Sequence, residues 1–241
     1  MAETKIEWTE LTWNPATGCT KISSGCRHCY AEKMAGRLQA MGIDKYRDGF
    51  ELRWHESELF RPYHWKQPRM VFVNSMSDLF HEGMPLEFIQ QVFQVMNDCP
   101  QHVFQVLTKR TDILRQYSPL LNWSSNIWMG VTVEGSSYTD RIHDLQAVGA
   151  FIKFLSLEPL LTPLPDLDLL GIGWVIVGGE SGNKVRPLKK EWVVDIRNQC
   201  QAAEVPFFFK QWGGRNKKAA GCLLDGMVYK EMPNLEVLLP T

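Results

Sequence analysis

The sequence predicts an α/β protein built on a partial or complete parallel (β/α) barrel. Three observations predict this class: short apolar runs alternate with longer mixed segments after residue 69, the runs are apolar at nearly every position, and 241 residues accommodate six or seven strand–helix units. Such alternation favours parallel strands joined by crossover helices, and strands covered on both faces are almost continuously apolar. An open doubly wound sheet obeys the same local pattern and is the alternative.

Six apolar runs are the predicted strands. They are Met70–Asn74, His102–Leu107, Ile127–Val133, Phe151–Leu157, Trp174–Val177 and Pro206–Lys210. A weaker seventh candidate, Leu11–Asn14, leads into the first cysteine. Between the runs, Pro85–Asp98 and Glu191–Ala203 carry apolar residues near helical spacing, which predicts crossover helices.

Residues 44–69 interrupt this alternation with aromatic and basic side chains. We expect an insertion or a lid there. Since no Gly/Ser-rich linker marks a boundary, we predict a single barrel domain over residues 1–241 with an insertion at about 44–69.

The composition places the chain among folded cytoplasmic proteins. Hydrophobic residues make up 44% and charged residues 22%, and the formal net charge is −1, which argues against a protein coated in basic residues for nonspecific nucleic-acid binding. The N-terminus is acidic, and the sequence lacks an apolar run of about 18 residues, so we expect no membrane contact. Cysteines in the cytoplasm stay reduced, and clustered ones are expected to bind metal.

The strongest chemical signal is the loop Thr17–Glu32 (TGCTKISSGCRHCYAE), which carries Cys19, Cys26 and Cys29 in a C-x6-C-x2-C spacing. Three thiolates can bind a [4Fe–4S] cluster and leave one iron open to another ligand. In radical S-adenosylmethionine enzymes the methionine moiety fills that position, and one electron yields a 5′-deoxyadenosyl radical. The loop therefore predicts an enzyme of this class, with a [4Fe–4S] cluster and S-adenosylmethionine as cofactors.

Zinc is the alternative occupant of the same loop. It would take the three thiolates with a fourth ligand such as His28 or a residue of the His55/His64 region. The protein would then be a noncatalytic, zinc-stapled module that binds nucleic acid or a protein. A third hypothesis, a cluster-bearing redox subunit that needs a partner protein, makes no deoxyadenosine.

Several phrases accompany the cysteine loop and are distinctive together. They are FVNSMSDLFHE (Phe72–Glu82), FQVLTKR (Phe104–Arg110), FLSLEPLL (Phe154–Leu161), VIVGGESG (Val175–Gly182) and FFFKQWGG (Phe207–Gly214). With the loop, they resemble a family of phage-derived bacterial proteins that carry a three-cysteine motif and are grouped with the radical S-adenosylmethionine enzymes. The resemblance implies a barrel of the radical S-adenosylmethionine type and a cluster, but it implies no substrate.

Polar residues after the Met70–Asn74 strand are candidates for cofactor binding. Asn74, Ser75, Ser77 and Asp78 offer an amide, hydroxyls and a carboxylate for the amino group or ribose of the cofactor. In the superfamily a methionine-binding GGE follows the second strand, whereas Gly178–Glu180 follows a late one, so that role does not carry over. The enzyme hypothesis still counts Glu180 among the residues that help to bind the cofactor.

Charged residues follow the later strands, where a barrel gathers its reactive groups. Glu134, Glu158 and Lys210 are the candidate catalytic residues that address the substrate. The competing interpretation is that these side chains form salt bridges with one another and close the top of the barrel.

Basic residues near the strand ends and in the insertion suggest a phosphate-bearing substrate, such as a nucleotide or nucleic acid. The strand-end set is Lys109, Arg110, Lys184, Arg186, Lys210 and Arg215. The enzyme hypothesis also requires an external one-electron donor.

Overall fold

The computed structural model describes residues 4, 6–182, 185–215 and 220–234, so Lys184 lies outside the described residues. The strands are β1 (Leu11–Trp13), β2 (Ala16–Thr17), β3 (Arg53–Trp54), β4 (Met70–Val73), β5 (Val103–Thr108), β6 (Ile127–Thr132), β7 (Ile152–Leu157), β8 (Trp174–Gly178), β9 (Phe207–Gln211), β10 (Leu223–Leu224) and β11 (Met227–Val228). The helices are α1 (Tyr30–Ala40), α2 (Glu56–Leu59), α3 (Leu86–Asp98), α4 (Thr111–Tyr117), α5 (Asp140–Gln146) and α6 (Lys190–Ala202). Short 3-10 helices cover Ser24–His28, Asp44–Tyr46, Arg61–His64, Ser118–Leu120 and Ser136–Tyr138.

The main sheet has seven strands in the order β1-β4-β5-β6-β7-β8-β9. The pairs β1–β4, β4–β5, β7–β8 and β8–β9 are parallel. A doubly wound sheet reverses its strand order, whereas this order follows the sequence throughout. The α/β class and the parallel sheet of a partial barrel are therefore confirmed, and the order disfavours the doubly wound alternative.

The strands owe their position to burial on both faces. Every residue of β6 and of β8 is buried, as their continuous apolar runs predicted. Gly130 in β6 allows a close approach, because a Cβ there would lie 2.3 Å from Cε2 of Phe154.

The chain divides into two compact units, and β6 contributes residues to both of them. The first comprises residues 1–129 and 148–151, and its core includes Trp13 and Phe104, whose ring centroids lie 5.8 Å apart. The second comprises residues 130–147 and 152–241, and Trp174 packs there between Phe154 and Phe208. A single barrel domain stays a prediction.

The predicted crossover helices form where the apolar periodicity placed them. Helix α3 buries Phe88, Ile89, Val92, Phe93, Val95 and Met96, and α6 buries Val193, Ile196 and Cys200. Each helix thus turns one apolar stripe inward. Within the described ranges, none of the helices has both the length and the apolar character needed to cross a membrane.

The insertion is an ordered layer of the first unit. Its strand β3 pairs antiparallel with β2, directly before the first cysteine, and the ring of Trp54 lies 6.2 Å from that of Phe88 in α3. Its basic side chains mostly meet carboxylates of the chain itself, in the pairs Lys45–Glu58, Arg47–Asp48, Arg53–Asp48, Arg61–Glu58 and Arg69–Glu10. These pairs reduce the positive charge that the insertion offers to a phosphate.

Candidate functional site

The first cysteine lies just after β2, where the backbone of the insertion supports it. The backbone N–H of Cys19 donates to the carbonyl oxygen of Phe50 at 3.1 Å, and the N–H of Gly18 donates to that of Met76 at 2.9 Å. Gly18 has a φ of +84°, and a Cβ there would lie 1.9 Å from the carbonyl oxygen of Glu51. Only glycine fits this conformation and this approach. The sequence did not reveal that the insertion would support the loop.

Cys26 lies within a short 3-10 helix, Ser24–His28, and Cys29 follows that helix directly, just before α1. The N–H of Cys26 donates to the carbonyl oxygen of Ser23 at 3.1 Å, and the N–H of Cys29 donates to that of Cys26 at 3.3 Å. Cys29 packs against an apolar cluster that includes Ala31 and Tyr46. The loop thus holds both residues by local backbone bonds and leaves their thiols partly exposed.

The donor set of the loop fits an iron–sulfur cluster. Cys19, Cys26 and Cys29 are free, partly exposed thiols, and cysteine thiolates are the usual ligands of such clusters. Within the part of the chain that the structure describes, no three His, Cys, Asp or Glu side chains are gathered closely enough to hold a single metal ion. The loop therefore supplies the donor atoms that such a cluster requires.

A buried arginine from the end of β5 reaches the first cysteine. Only 4% of the Arg110 side chain is exposed, and its Nη1 donates to Sγ of Cys19 at 3.3 Å. The same guanidinium donates to Asp78 Oδ2 at 3.2 Å, to Glu82 Oε2 at 2.6 Å and to Thr20 Oγ1 at 2.7 Å. The cation is therefore fixed by two carboxylates and a hydroxyl.

The surroundings of the loop shift the pKa values of two of its thiols in opposite directions. Burial, with the charge of Asp78, raises the pKa of the Cys19 thiol to about 11, although Arg110 acts in the opposite direction. Burial also raises the pKa of Cys26, but the hydrogen bond with Ser23, backbone N–H bonds and the charge of Lys109 outweigh it and lower that pKa overall. Cys26 is thus the more readily ionised of the two.

Asp78, a predicted cofactor ligand, is engaged by protein donors. Its Oδ1 accepts from the hydroxyl of Thr108 at 2.7 Å and from the N–H of Phe80 at 3.0 Å, and its Oδ2 accepts from the N–H of Lys109 at 3.1 Å as well as from Arg110. Four donors match the capacity of a carboxylate. In this arrangement Asp78 holds Arg110.

The other predicted cofactor residues of the first unit also lie beside the loop. Ser77 Oγ donates to the carbonyl oxygen of Gly18 at 2.7 Å, and Ser75 Oγ donates to Asn14 Oδ1 at 3.2 Å. Asn74 is 3% exposed, and its Oδ1 accepts from the N–H of Ala16 at 3.2 Å. Its buried Nδ2 has no protein acceptor among the described residues. Asn74 therefore retains a donor that a ligand could use.

Sequence reasoning assigned no role to the residues that complete this network, which are Thr20, His81 and Glu82, and placed Arg110 only among the basic residues. The Thr20 hydroxyl donates to Glu82 Oε1 at 2.8 Å, and the His81 ring lies 3.0 Å from that hydroxyl. The two ring nitrogens of His81 each face a backbone N–H group: Nδ1 lies 3.0 Å from the nitrogen of Gly83, and Nε2 lies 3.3 Å from the nitrogen of Thr20. The only available signal was their presence in the distinctive phrases: Thr20 in the cysteine loop, His81 and Glu82 in Phe72–Glu82, and Arg110 in Phe104–Arg110.

The predicted catalytic residues fall in the second unit, and each has an oppositely charged partner there. Lys210 Nζ lies 2.8 Å from Glu158 Oε1, and Ser156 Oγ donates to the same carboxylate at 3.3 Å. Glu134 is fully buried, and Arg141 Nη1 donates to its Oε2 at 2.7 Å. Glu158 and Lys210 thus keep some contact with solvent, whereas Glu134 has none.

Glu180 forms a fork with Arg186. The carboxylate of Glu180 accepts from the backbone N–H of Arg186 at 2.9 Å and from the Nε of Arg186 at 3.1 Å, and the Glu180 side chain is 5% exposed.

The guanidinium of Arg141, the partner of Glu134, also stacks on the ring of Tyr138, 4.4 Å from the centroid. The second unit therefore carries three acid–base pairs near its strand ends, and of these the Glu158–Lys210 pair joins two of the candidate catalytic residues to each other.

Two of the cysteines outside the loop lie in the interior of the protein. Cys99 and Cys200 are buried, and burial raises their pKa values to about 11 and about 12.

The chain was compared with protein families, with curated proteins and with solved structures. No curated protein and no solved structure matches it. Residues 3–233 match a family described as protein of unknown function, DUF5131. Because this match spans nearly the entire chain, with the cysteine loop and both charged networks, the protein belongs to the DUF5131 family.

Proposed function

We propose that the protein is an iron–sulfur enzyme of the radical S-adenosylmethionine type, with a [4Fe–4S] cluster on Cys19, Cys26 and Cys29. The observation that carries the proposal is the loop itself: three free thiols within eleven residues, at the end of the first strand of a parallel α/β sheet, beside a buried cation. Three thiolates on a four-iron cluster leave one iron for an exogenous ligand.

With one electron from an external donor, the bound cluster would supply reductive cleavage of S-adenosylmethionine and so a radical able to remove a hydrogen atom from a substrate. The chain's own residues prepare this site. Gly18 and the N–H bond to Phe50 fix the backbone of Cys19, and Arg110 places positive charge beside its sulfur. A thiolate that is partly removed from water is costly without such a partner.

Asn74 and Ser75 are the residues we assign to S-adenosylmethionine. Nδ2 of Asn74 is a buried donor without an acceptor in the described protein, and buried amides normally find one. The hydroxyl of Tyr30, next to Cys29, donates to the carbonyl oxygen of Ser75, which ties the start of α1 to the end of β4. Ser77 and Asp78 support the loop from the same segment, whereas Glu180, the remaining cofactor candidate, is held by Arg186 in the second unit.

Glu158 and Lys210 are the pair we assign to the substrate. Their side chains are 15% and 17% exposed, so they reach solvent while their charges remain poorly screened. A carboxylate and an ammonium 2.8 Å apart can exchange hydrogen bonds with a polar substrate. Glu134 has no exposed surface, so its part is to hold Arg141.

A phosphate-bearing substrate is the class that the basic side chains of Lys210 and Arg186 suit best. The basic side chains of the insertion contribute little to this, since carboxylates of the chain neutralise most of them. Filter binding of labelled oligonucleotides across a salt series tests the nucleic-acid version, and absent or salt-independent binding would remove it.

The test of the proposed function is anaerobic reconstitution with iron and sulfide, followed by electron paramagnetic resonance of the reduced protein with and without S-adenosylmethionine. We expect about four irons per chain, a signal that changes when the cofactor is added, and 5′-deoxyadenosine on reduction. Cys26→Ala should lose the cluster, whereas the matched control Cys222→Ala, a partly exposed thiol outside the loop, should keep it. Tight zinc with no iron would instead favour the zinc-stapled module.

A further inference from the structure

The hydrogen bond from Arg110 to the sulfur of Cys19 is held in place by several other contacts of the guanidinium. The guanidinium is 4% exposed, and its three nitrogens donate to Asp78, Glu82 and Thr20 as well as to the sulfur. Asp78 is itself immobilised by Thr108 and by backbone N–H groups. The N–H group that faces Cys19 Sγ at 3.3 Å therefore has little freedom to turn away.

The charges around this contact are unequal. Asp78 and Glu82 together carry two negative charges against the single positive charge of Arg110, and burial lowers the pKa of the neighbouring His81, which favours its neutral form. Without Arg110, two carboxylates near Cys19 would lack their main counter-charge. The guanidinium is thus the positive charge that offsets these two carboxylates beside Cys19.

We propose that Arg110 is a positioning residue that raises the reduction potential of the cluster held by the three-cysteine loop, through its N–H bond to Sγ of Cys19. This inference rests on the proposed function. Reduction adds one electron to the cluster and makes the thiolate-bound assembly more negative by one charge. A hydrogen bond donated to a ligand sulfur and a nearby cation both stabilise that more negative state.

The test is a dye-mediated redox titration of the reconstituted protein, followed by electron paramagnetic resonance, with iron and sulfide measured on each sample. Arg110→Gln removes the charge and the fork but keeps an N–H donor, and Arg110→Lys keeps the charge alone. We expect the reduction equilibrium of Arg110→Gln to shift against the reduced state by about tenfold, or 59 mV for a one-electron couple. Arg110→Lys should shift in the same direction by less.

Two further variants distinguish an effect on the reduction potential of the cluster from a loss of folding. Thr20→Val keeps Arg110 but removes an acceptor of its Nη2, and it should shift the equilibrium in the same direction by a smaller factor. Arg197→Lys disturbs an ion pair with Asp225 in the second unit and should leave the potential unchanged. If Arg110→Gln does not fold, Thr20→Val carries the test.

The outcomes distinguish the two proposals. Variants that hold a full complement of iron at the wild-type potential would show that Arg110 is only a structural ion pair and would overturn the inference while leaving the proposed function intact. Failure of the wild-type protein to assemble any cluster would overturn the proposed function, and the tuning role with it.

Discussion

Nζ of Lys210 lies 2.8 Å from Oε1 of Glu158, and the two side chains are almost equally exposed, at 17% and 15%. The pair joins the end of β9 to the residue that follows β7. Because both charges are largely removed from water, each depends on the other for compensation.

Removing one member of this pair should cost more than removing both. We expect Lys210→Met to lower the free energy of unfolding by about 2 kcal/mol, since it leaves the mostly buried carboxylate of Glu158 without its counter-charge. Adding Glu158→Gln should recover part of that loss, which a double-mutant cycle from urea unfolding measures as a coupling energy of about 1 kcal/mol. Additive effects of the two substitutions would show that the pair is not coupled.

The thiols should react in the order that their surroundings set. In metal-free protein at pH 8, we expect iodoacetamide to modify Cys26 at least about tenfold faster than Cys19, because the thiolate is the nucleophile and the pKa is lowered at Cys26 but raised to about 11 at Cys19. Cys200, which is buried and has a pKa of about 12, should react only on unfolding.

Peptide mapping by mass spectrometry measures these rates, and labelling in guanidinium chloride, where the sites should react alike, provides the control. Modification of Cys19 before Cys26 would contradict the predicted order.

His55 should make the first unit less stable in mild acid. Burial and the charges of Lys45 and Arg53 lower its pKa to about 4, against about 6.5 in an unfolded chain. Between these two values the unfolded chain binds a proton that the folded protein does not, so the free energy of unfolding falls as the pH drops below 6.5. After allowance for partial exposure, we expect His55 to account for about 1 kcal/mol between pH 7 and pH 5.

Urea unfolding of the wild type and of His55→Gln at the two pH values measures this contribution. The variant should lose less stability than the wild type, although it also loses the contact of the ring with Thr17 at both pH values. His143→Gln, at an exposed ring, serves as the control. Equal losses in the wild type and His55→Gln would contradict the assignment.

Comparing Gly18 with Gly42 tests how closely the insertion packs against the backbone of the cysteine loop. Both have positive φ, +84° and +72°, but a Cβ at Gly18 would meet the carbonyl oxygen of Glu51 at 1.9 Å, whereas a Cβ at Gly42 would meet no atom within 4 Å. We expect Gly42→Ala to cost about 1 kcal/mol, for backbone strain alone. Gly18→Ala should cost about 3 kcal/mol, since the backbone of the insertion must also move.

Thermal or urea unfolding gives both values, and reconstituted iron content reports on the loop itself. Equal costs at the two positions would show that the close approach to Glu51 is not a constraint on the loop.

The sequence predicted the strands well, because burial on both faces leaves an apolar run that local composition reveals. The runs at 70–74, 127–133 and 151–157 contain β4, β6 and β7 within a residue or two at each end. The same reasoning predicted that the cysteine loop follows the first strand. In the structure β1 and the short strand β2 both precede Cys19. It could not choose between barrel and doubly wound order, since neighbouring units look alike in either arrangement.

Residue types and spacing by themselves determined the α/β class, the free cysteine loop and the acidic and basic residues that follow the strands. Only the tertiary structure decided how these charges are used. Arg110 meets Cys19 across 91 positions of sequence, and Phe50 of the insertion accepts the N–H of the same cysteine. Local patterns record which faces are apolar, but long-range pairing between polar groups depends on distances that only the folded backbone sets.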